Sequence, residues 1–378
     1  MPINKSVRRC LTNIIQDCIK PILHNRKTIQ KAIINNKIQV KQSQTKLSRF
    51  NFELSSLFVN TEIQTLIYND IDFVETIEVQ INHTIFIVKL FTSTKWAELY
   101  KHKQHEMRVK KMIDALAITL GMSQWSSCNL RNKQIIINLF DIEKPKQFIP
   151  YNRIIEPINV NSAYTVPCKY GGYELEVVIF RNEEWDKVLF HELIHLYSYD
   201  IGSNDKRMNN RLSRIFNINC DFKLTEAYSE FWARILWSLW RSNGDLNKFV
   251  IEIDKQQNWS IHQGVIVLTN TGIIDNVLDK DLRNKRIVAN VYKENTAAFS
   301  YYVISGFMMS DWKNVIYWCY KTNKIPFKFN STLKNINSFI SLIREIVKDD
   351  AILDLWCDEE EKLPDVFYNM YLTAKMTL

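Results

Sequence analysis

The sequence predicts an α+β protein, and three observations carry that prediction. Short alternating or continuous apolar runs before residue 181 have the period of strands. A helix-spaced H-E-x-x-H segment follows them, and beyond Leu224 the apolar spacing is mostly that of helices. At 378 residues, 46% hydrophobic and 24% charged, the chain has ordinary globular composition and can bury a sizeable core in two or more parts.

Residues 1–50 hold eleven Lys and Arg against the single acid Asp17, a net +10. The whole chain is +8, so the remainder sums to −2. Such a segment could make weak polyanion contacts, but no aromatic residue interleaves its charges before Phe50, which argues against a base-stacking groove. Ile14, Ile15, Ile19, Ile22 and Leu23 fall at helical spacing. The plainer expectation is therefore an arm or helix with solvated lysines. Its removal should leave downstream chemistry intact unless the apolar stripe docks.

Residues 74–81 alternate, Asn82-His83 turn the chain, and residues 84–90 continue as an apolar strand, which together read as a hairpin. Residues 96–120 read as an amphipathic helix stopped before Gly121, and residues 133–140 as a buried strand. Two further strands, 160–165 and 174–180, are separated by a turn at Gly171-Gly172. Asn182 is the expected cap of the next helix and Gly202 its expected stop. The later tryptophans, among them Trp237, Trp240, Trp312 and Trp356, suggest an aromatic-rich helical core.

That next helix contains His191-Glu192-Leu193-Ile194-His195, and Glu192 carries the one formal charge from Val188 to Tyr199, with histidine counted neutral. On a helix, residues i and i+4 share a face about one turn apart, so both imidazoles can hold one metal ion. Glu192 is then placed to act as general base on a metal-activated water. A zinc site needs a third protein ligand. The positions where a metzincin carries Gly and His are Ser198 and Ile201, so that class is excluded. Thr225-Glu226-Ala227-Tyr228-Ser229-Glu230 reads as a second helix capped by Thr225, with two carboxylates at i,i+4. Glu226 is the expected third ligand, with Asp200 and Glu230 as the rivals a ligand test must exclude. Glu230 is expected to accept the other N–H of a ligating histidine. His102 and His105 resemble an inverted zinc motif in the wrong order, and with lysines around them they read as a solvated face.

These residues resemble the gluzincins, the thermolysin-like zinc metallopeptidases, whose third ligand is a Glu in an N-E-x-x-S-[DE] helix. Here Thr225 stands in place of Asn. Asn161, Ser162, Ala163 and Tyr164 resemble the edge strand that those enzymes pair with substrate backbone. The match covers roughly residues 160–237, and the aminopeptidase G-x-M-E-N signature is absent. The resemblance implies one Zn²⁺ per chain on His191, His195 and Glu226, a polypeptide substrate and an endopeptidase activity. It also implies an oxyanion donor, for which Tyr301 or Tyr302 is the candidate. The implied fold is a zincin-like core: a small mixed sheet with an edge strand plus the H-E-x-x-H helix, followed by a mostly helical C-terminal region. The expected division is a basic segment 1–50, an α/β region 51–150, a catalytic core 151–242 and a helical region 243–378. The wealth of Asn, Ile and Lys, with eight Gly and eight Pro, is similar to metallopeptidase-like proteins of large DNA viruses.

Seven scattered cysteines without C-x-x-C fit a reducing compartment better than a disulfide framework. Residues 1–20 have no secretory h-region, and no run reaches the about 20 apolar residues of a membrane span. An intracellular or virion-associated protein is expected rather than a secreted one. Two other readings fit the same residues: an inactive zincin-fold structural or virion protein, and a nucleic-acid-associated protein led by the basic segment.

Overall fold

The computed structural model describes residues 3–44, 54–93, 103–147, 154–202, 206–279 and 292–363. His102 and the start of the expected 96–120 helix lie outside them. The N-terminal charge does not form a free arm. Helix α1 (Lys5–Ile14) continues through a π-helical turn, Ile15–Ile19, into α2 (Lys20–Ile34). The lysines of this unit face solvent, but Val7, Cys10, Leu11, Ile14, Cys18, Ile19 and Ile22 enter the main core. The apolar stripe has docked, because burying it removes a continuous face of β-branched and leucine side chains from water.

The strands β1 (Lys41–Gln44), β2 (Phe73–Ile81), β3 (Thr84–Thr92), β4 (Gln134–Phe140), β5 (Ala163–Thr165) and β6 (Glu174–Ile179) form one mixed sheet. Its order is β1-β2-β3-β4-β6-β5. The hairpin β2–β3 turns on Asn82 and His83, both at positive φ, as a two-residue turn requires. β4 runs parallel to both β3 and β6, and β5 closes the sheet as an antiparallel edge. Period two sorts the side chains. Ile135, Ile137 and Leu139 of β4, with Leu175, Val177 and Ile179 of β6, enter the large core. Phe140, Val178 and Phe180 enter a smaller core closed by α3 (Thr61–Asp70) on the opposite face.

Helix α4 (Lys103–Ser123) joins β3 to β4 and runs through Gly121, which lies against Ile22 where α2 crosses. A short helix, α5 (Pro157–Val160), precedes β5, so the predicted strand 160–165 is shorter than expected. His105 and Arg108 of α4 both bind the fully buried Glu75, at 3.2 and 2.6 Å, so this part of the expected solvated face is an anchor. After β6 come α6 (Trp185–Leu196), α7 (Lys206–Phe216) and α8 (Leu224–Arg241). Next are α9 (Leu246–Asn270), α10 (Ile274–Leu278) and a π turn, Phe299–Ile304, running into α11 (Ser305–Ser310). The chain then forms α12 (Trp312–Thr322), α13 (Leu333–Lys348) and α14 (Asp350–Glu360). Among the described residues the architecture is α+β with one six-stranded sheet. One core runs from Val7 to Trp356 and takes in every helical unit described above except α3. Trp356 lies on Gly264 and Gly306, where any Cβ would meet its ring.

One cysteine pair was not legible. Cys128 and Cys168, 40 residues apart, form a disulfide, while Cys10, Cys18, Cys220, Cys319 and Cys357 are not disulfide-bonded. One bridge runs against the expectation of seven unpaired thiols. Among the described residues no helix is long and apolar enough to cross a membrane.

Candidate metal centre

α6 follows β6 directly and is buried along its length from Lys187 to Ile194. Asn182 does not cap it: its side chain accepts from Lys111 Nζ at 2.7 Å. The N-cap is Glu184 in the left-handed region at φ 53°, without a side-chain capping bond. Its carboxylate faces Lys187 and Lys146 instead, at 3.8 and 3.9 Å. The helix ends at Leu196, six residues before the expected stop at Gly202, and Ser198 at φ 54° turns the chain. α8 packs against α6. Thr225 is not its cap either. Lys223 N–H donates to Ser300 Oγ at 2.9 Å, and the Thr225 hydroxyl donates to Asp200 Oδ2 at 2.9 Å.

Three donor atoms converge where α6 meets α8. His191 Nε2 lies 3.0 Å from His195 Nε2 and 3.2 Å from Glu226 Oε2, and His195 Nε2 lies 3.1 Å from the same oxygen. Among the described residues His191, His195 and Glu226 form the group able to hold a metal ion. A tetrahedral ion with ligand bonds of about 2.0–2.1 Å keeps its donor atoms about 3.3 Å apart, close to the spacing seen. The outer nitrogens explain why the inner ones are free. His191 Nδ1 is 3.2 Å from Glu230 Oε2, and His195 Nδ1 is 2.5 Å from Asp200 Oδ2. A carboxylate is an acceptor only, so each Nδ1 carries the proton and each neutral ring turns a lone pair inward. Three lone-pair atoms then face one point. That arrangement is repulsive until a cation or additional protons occupy it.

The electrostatics agree. Burial alone would lower the histidine pKa values, but the carboxylates of Glu226 and Glu230 hold His191 above its ordinary value. Glu226 and Asp200 hold His195 well above. Burial would raise Glu226 and Glu230. The two histidines outweigh it at Glu226, and Lys187 with Arg234 outweigh it at Glu230, so both carboxylates sit well below the usual range. Glu230 accepts from Lys187 Nζ at 2.6 Å and pairs with Arg234 at 2.9 Å. Burial raises Glu192, against the pull of His191 and His195.

Tyr301 and Tyr302 part company. The Tyr301 hydroxyl lies 3.3 Å from His191 Nε2 on the metal side. Tyr302, the next residue, is absent from the cleft and lines only a small space behind it with Lys146 and Lys187, which Tyr301 also borders. Successive residues of a helical turn point about 100° apart, so the two phenols cannot share one role, and Tyr302 is withdrawn as an oxyanion donor. A cleft of about 1200 Å³ opens in front of the cluster. Glu192, His195, Glu226 and Tyr301 line its floor, and Asn161, Ala163 and Tyr164 line one wall. Asn161 Oδ1 accepts from Thr296, and Tyr164 stacks on Phe58 at 5.4 Å. Ser162 turns inward and is buried.

The sequence places Asp200 only as a rival ligand and does not single out Lys187 or Arg234. A signal existed for the last two: Lys187, His191 and His195 recur at i,i+4, as do Glu226, Glu230 and Arg234. No model of a known protein family matches the chain, and comparison with curated proteins and with solved structures finds no match either.

Proposed function

We propose that this protein is a zinc-dependent metallopeptidase with a zincin-like core of gluzincin type that cleaves within polypeptides. The observation that carries the reading is the convergence of three lone-pair atoms from His191, His195 and Glu226 on the floor of an open cleft, beside Glu192. Histidine nitrogen and carboxylate oxygen are the donors zinc takes in such sites, with a fourth position left open. When bound, the ion polarises a carbonyl and makes water acidic enough to attack near neutral pH. Glu192 takes the proton from the attacking water and delivers it to the departing amine, and its burial keeps it basic enough for both steps. Tyr301 donates its hydroxyl proton toward the developing oxyanion. The outer edge of β5, unpaired with any strand among the described residues, offers backbone groups to an extended substrate, which would add as a further strand along the cleft wall.

Metal analysis and a peptide-library assay test this reading together. Purified protein is expected to hold about one Zn²⁺ per chain, lost in His191→Ala, His195→Ala and Glu226→Ala. Glu192→Gln is expected to keep its zinc while kcat falls by about 10²- to 10⁴-fold. A zinc-loaded wild type that cleaves no peptide refutes the peptidase reading and leaves an inactive zincin-fold protein in its place.

A further inference from the structure

Behind the metal cluster lies a second space of about 30 Å³, between β5, the first turns of α6 and the π turn that carries Tyr302. It shares Asn161, Ala163, Glu192 and Tyr301 with the cleft and so opens from it beside the general base. Its lining sets the ammoniums of Lys146 and Lys187 beside the carboxylates of Glu192 and Glu230. The Lys146 side chain is 6% exposed, and the nearest carboxylate oxygen, Glu184 Oε2, is 3.9 Å from its ammonium, beyond hydrogen-bond reach. Ser162, also 6% exposed, has no hydrogen-bond partner for its hydroxyl among the described residues. The second ammonium, Lys187, is committed to Glu230, whose charge Arg234 and His191 also share. Nearby Arg181 is fully buried and, among the described residues, binds carbonyls alone, those of Asn161, Lys144 and Ile158, so it adds positive charge without consuming a carboxylate. A buried ammonium is unfavourable without an acceptor. Burial pulls Lys146 down to about 8 despite Glu184 and Glu183.

We propose that this space is an anion subsite, held by Lys146 and Ser162, that takes one carboxylate group or a halide-sized ion. Its size sets that limit: it has room for about two water-sized groups, the two oxygens of a carboxylate, and none for a ring. Two sources present that chemistry. One is the side chain of an Asp or Glu beside the scissile bond, and this source rests on the peptidase reading. The other is a free inorganic anion, which does not.

Full-length protein tests both arms. In the first, bromide is titrated into wild type and Lys146→Met while thermal melting is followed, and crystals grown with bromide are examined for its anomalous signal. A saturating rise in melting temperature and a bromide peak at Lys146, both absent in Lys146→Met, support the subsite whether or not any peptide is cleaved. In the second, peptides matched except for Asp against Asn, or Glu against Gln, beside the cleaved bond are compared. A tenfold or greater preference in kcat/KM for the acid, lost in Lys146→Met and reduced several-fold in Ser162→Ala, identifies the substrate as the source. Bromide binding without acid preference identifies the free anion. Should Lys146→Met fail to fold, Ser162→Ala carries both comparisons. Two waters at Lys146 in bromide-grown crystals, with no acid preference in wild type, overturn the proposal.

Discussion

Replacing Asp200 should weaken the metal centre without removing a ligand. Asp200 Oδ2 lies 2.5 Å from His195 Nδ1 and also accepts from Thr225, so it sets the tautomer and direction of the ring. Hydrogen bonds to charged groups contribute about 1.5–3 kcal/mol. Loss of such a partner behind a metal-binding histidine typically costs about 10–100-fold in affinity, or about 1.4–2.7 kcal/mol, and the two estimates agree. Asp200→Asn keeps an acceptor oxygen but no charge, so about tenfold weaker zinc binding is expected. Asp200→Ala keeps neither and should approach about 100-fold, with His195→Ala weaker still because a ligand is gone. Competition for zinc against a chromogenic chelator measures all three on one scale. Asp200→Ala protein that binds zinc as tightly as wild type would refute the argument that Asp200 holds the histidine in its metal-binding form. A loss equal to that of His195→Ala would instead make Asp200 a ligand.

Metal binding should release protons near neutral pH, because His191 and His195 are both raised in the metal-free protein and must be neutral to bind. Calorimetry in buffers of differing ionisation enthalpy should find about one to two protons released, with zinc affinity rising with pH. The sign for metal-free stability follows. The His195 contribution is complete below its ordinary value of 6.5 and is lost as pH rises through the raised folded value. That of Glu226 is present above 4.5 and is lost as pH falls through the lowered one. A metal-free melting curve insensitive to pH above neutrality would contradict this. Deleting residues 1–35 should abolish soluble folded protein, reversing the expectation from sequence. At about 1.5–3 kcal/mol per buried aliphatic side chain, Val7, Leu11, Ile14, Ile19 and Ile22 together rival a whole domain's about 5–15 kcal/mol. A shortened protein that melts as the full chain does would show the docked stripe to be dispensable. Cys128→Ser should lower stability by about 2–4 kcal/mol in denaturant titrations under oxidising conditions, since the bridge closes a 40-residue separation. Under strong reductant the variant and wild type should coincide.

What the sequence determined by itself was local. A period of 3.6 places His191 and His195 on one helix face and Glu226 and Glu230 on another, whatever surrounds them, and a period of two sorts the strand residues between faces. The hairpin, the two central strands β4 and β6 and the candidate site could therefore be read locally, while β1 (Lys41–Gln44), inside the segment read as an arm or helix, could not. The tertiary structure decided everything that depends on distance between elements. The docking of α8 on α6 brings Glu226 Oε2 to both Nε2 atoms and Glu230 to His191 Nδ1. The turn after Leu196 carries Asp200 back onto His195 and diverts Thr225 from capping to holding it. The same limit hid the Cys128–Cys168 bridge and the docking of the N-terminal helices. Helix and strand periods arise from backbone geometry within a few residues. Ligand contacts, bridges and buried charges arise from packing of segments tens to hundreds of residues apart, which local periodicity does not encode.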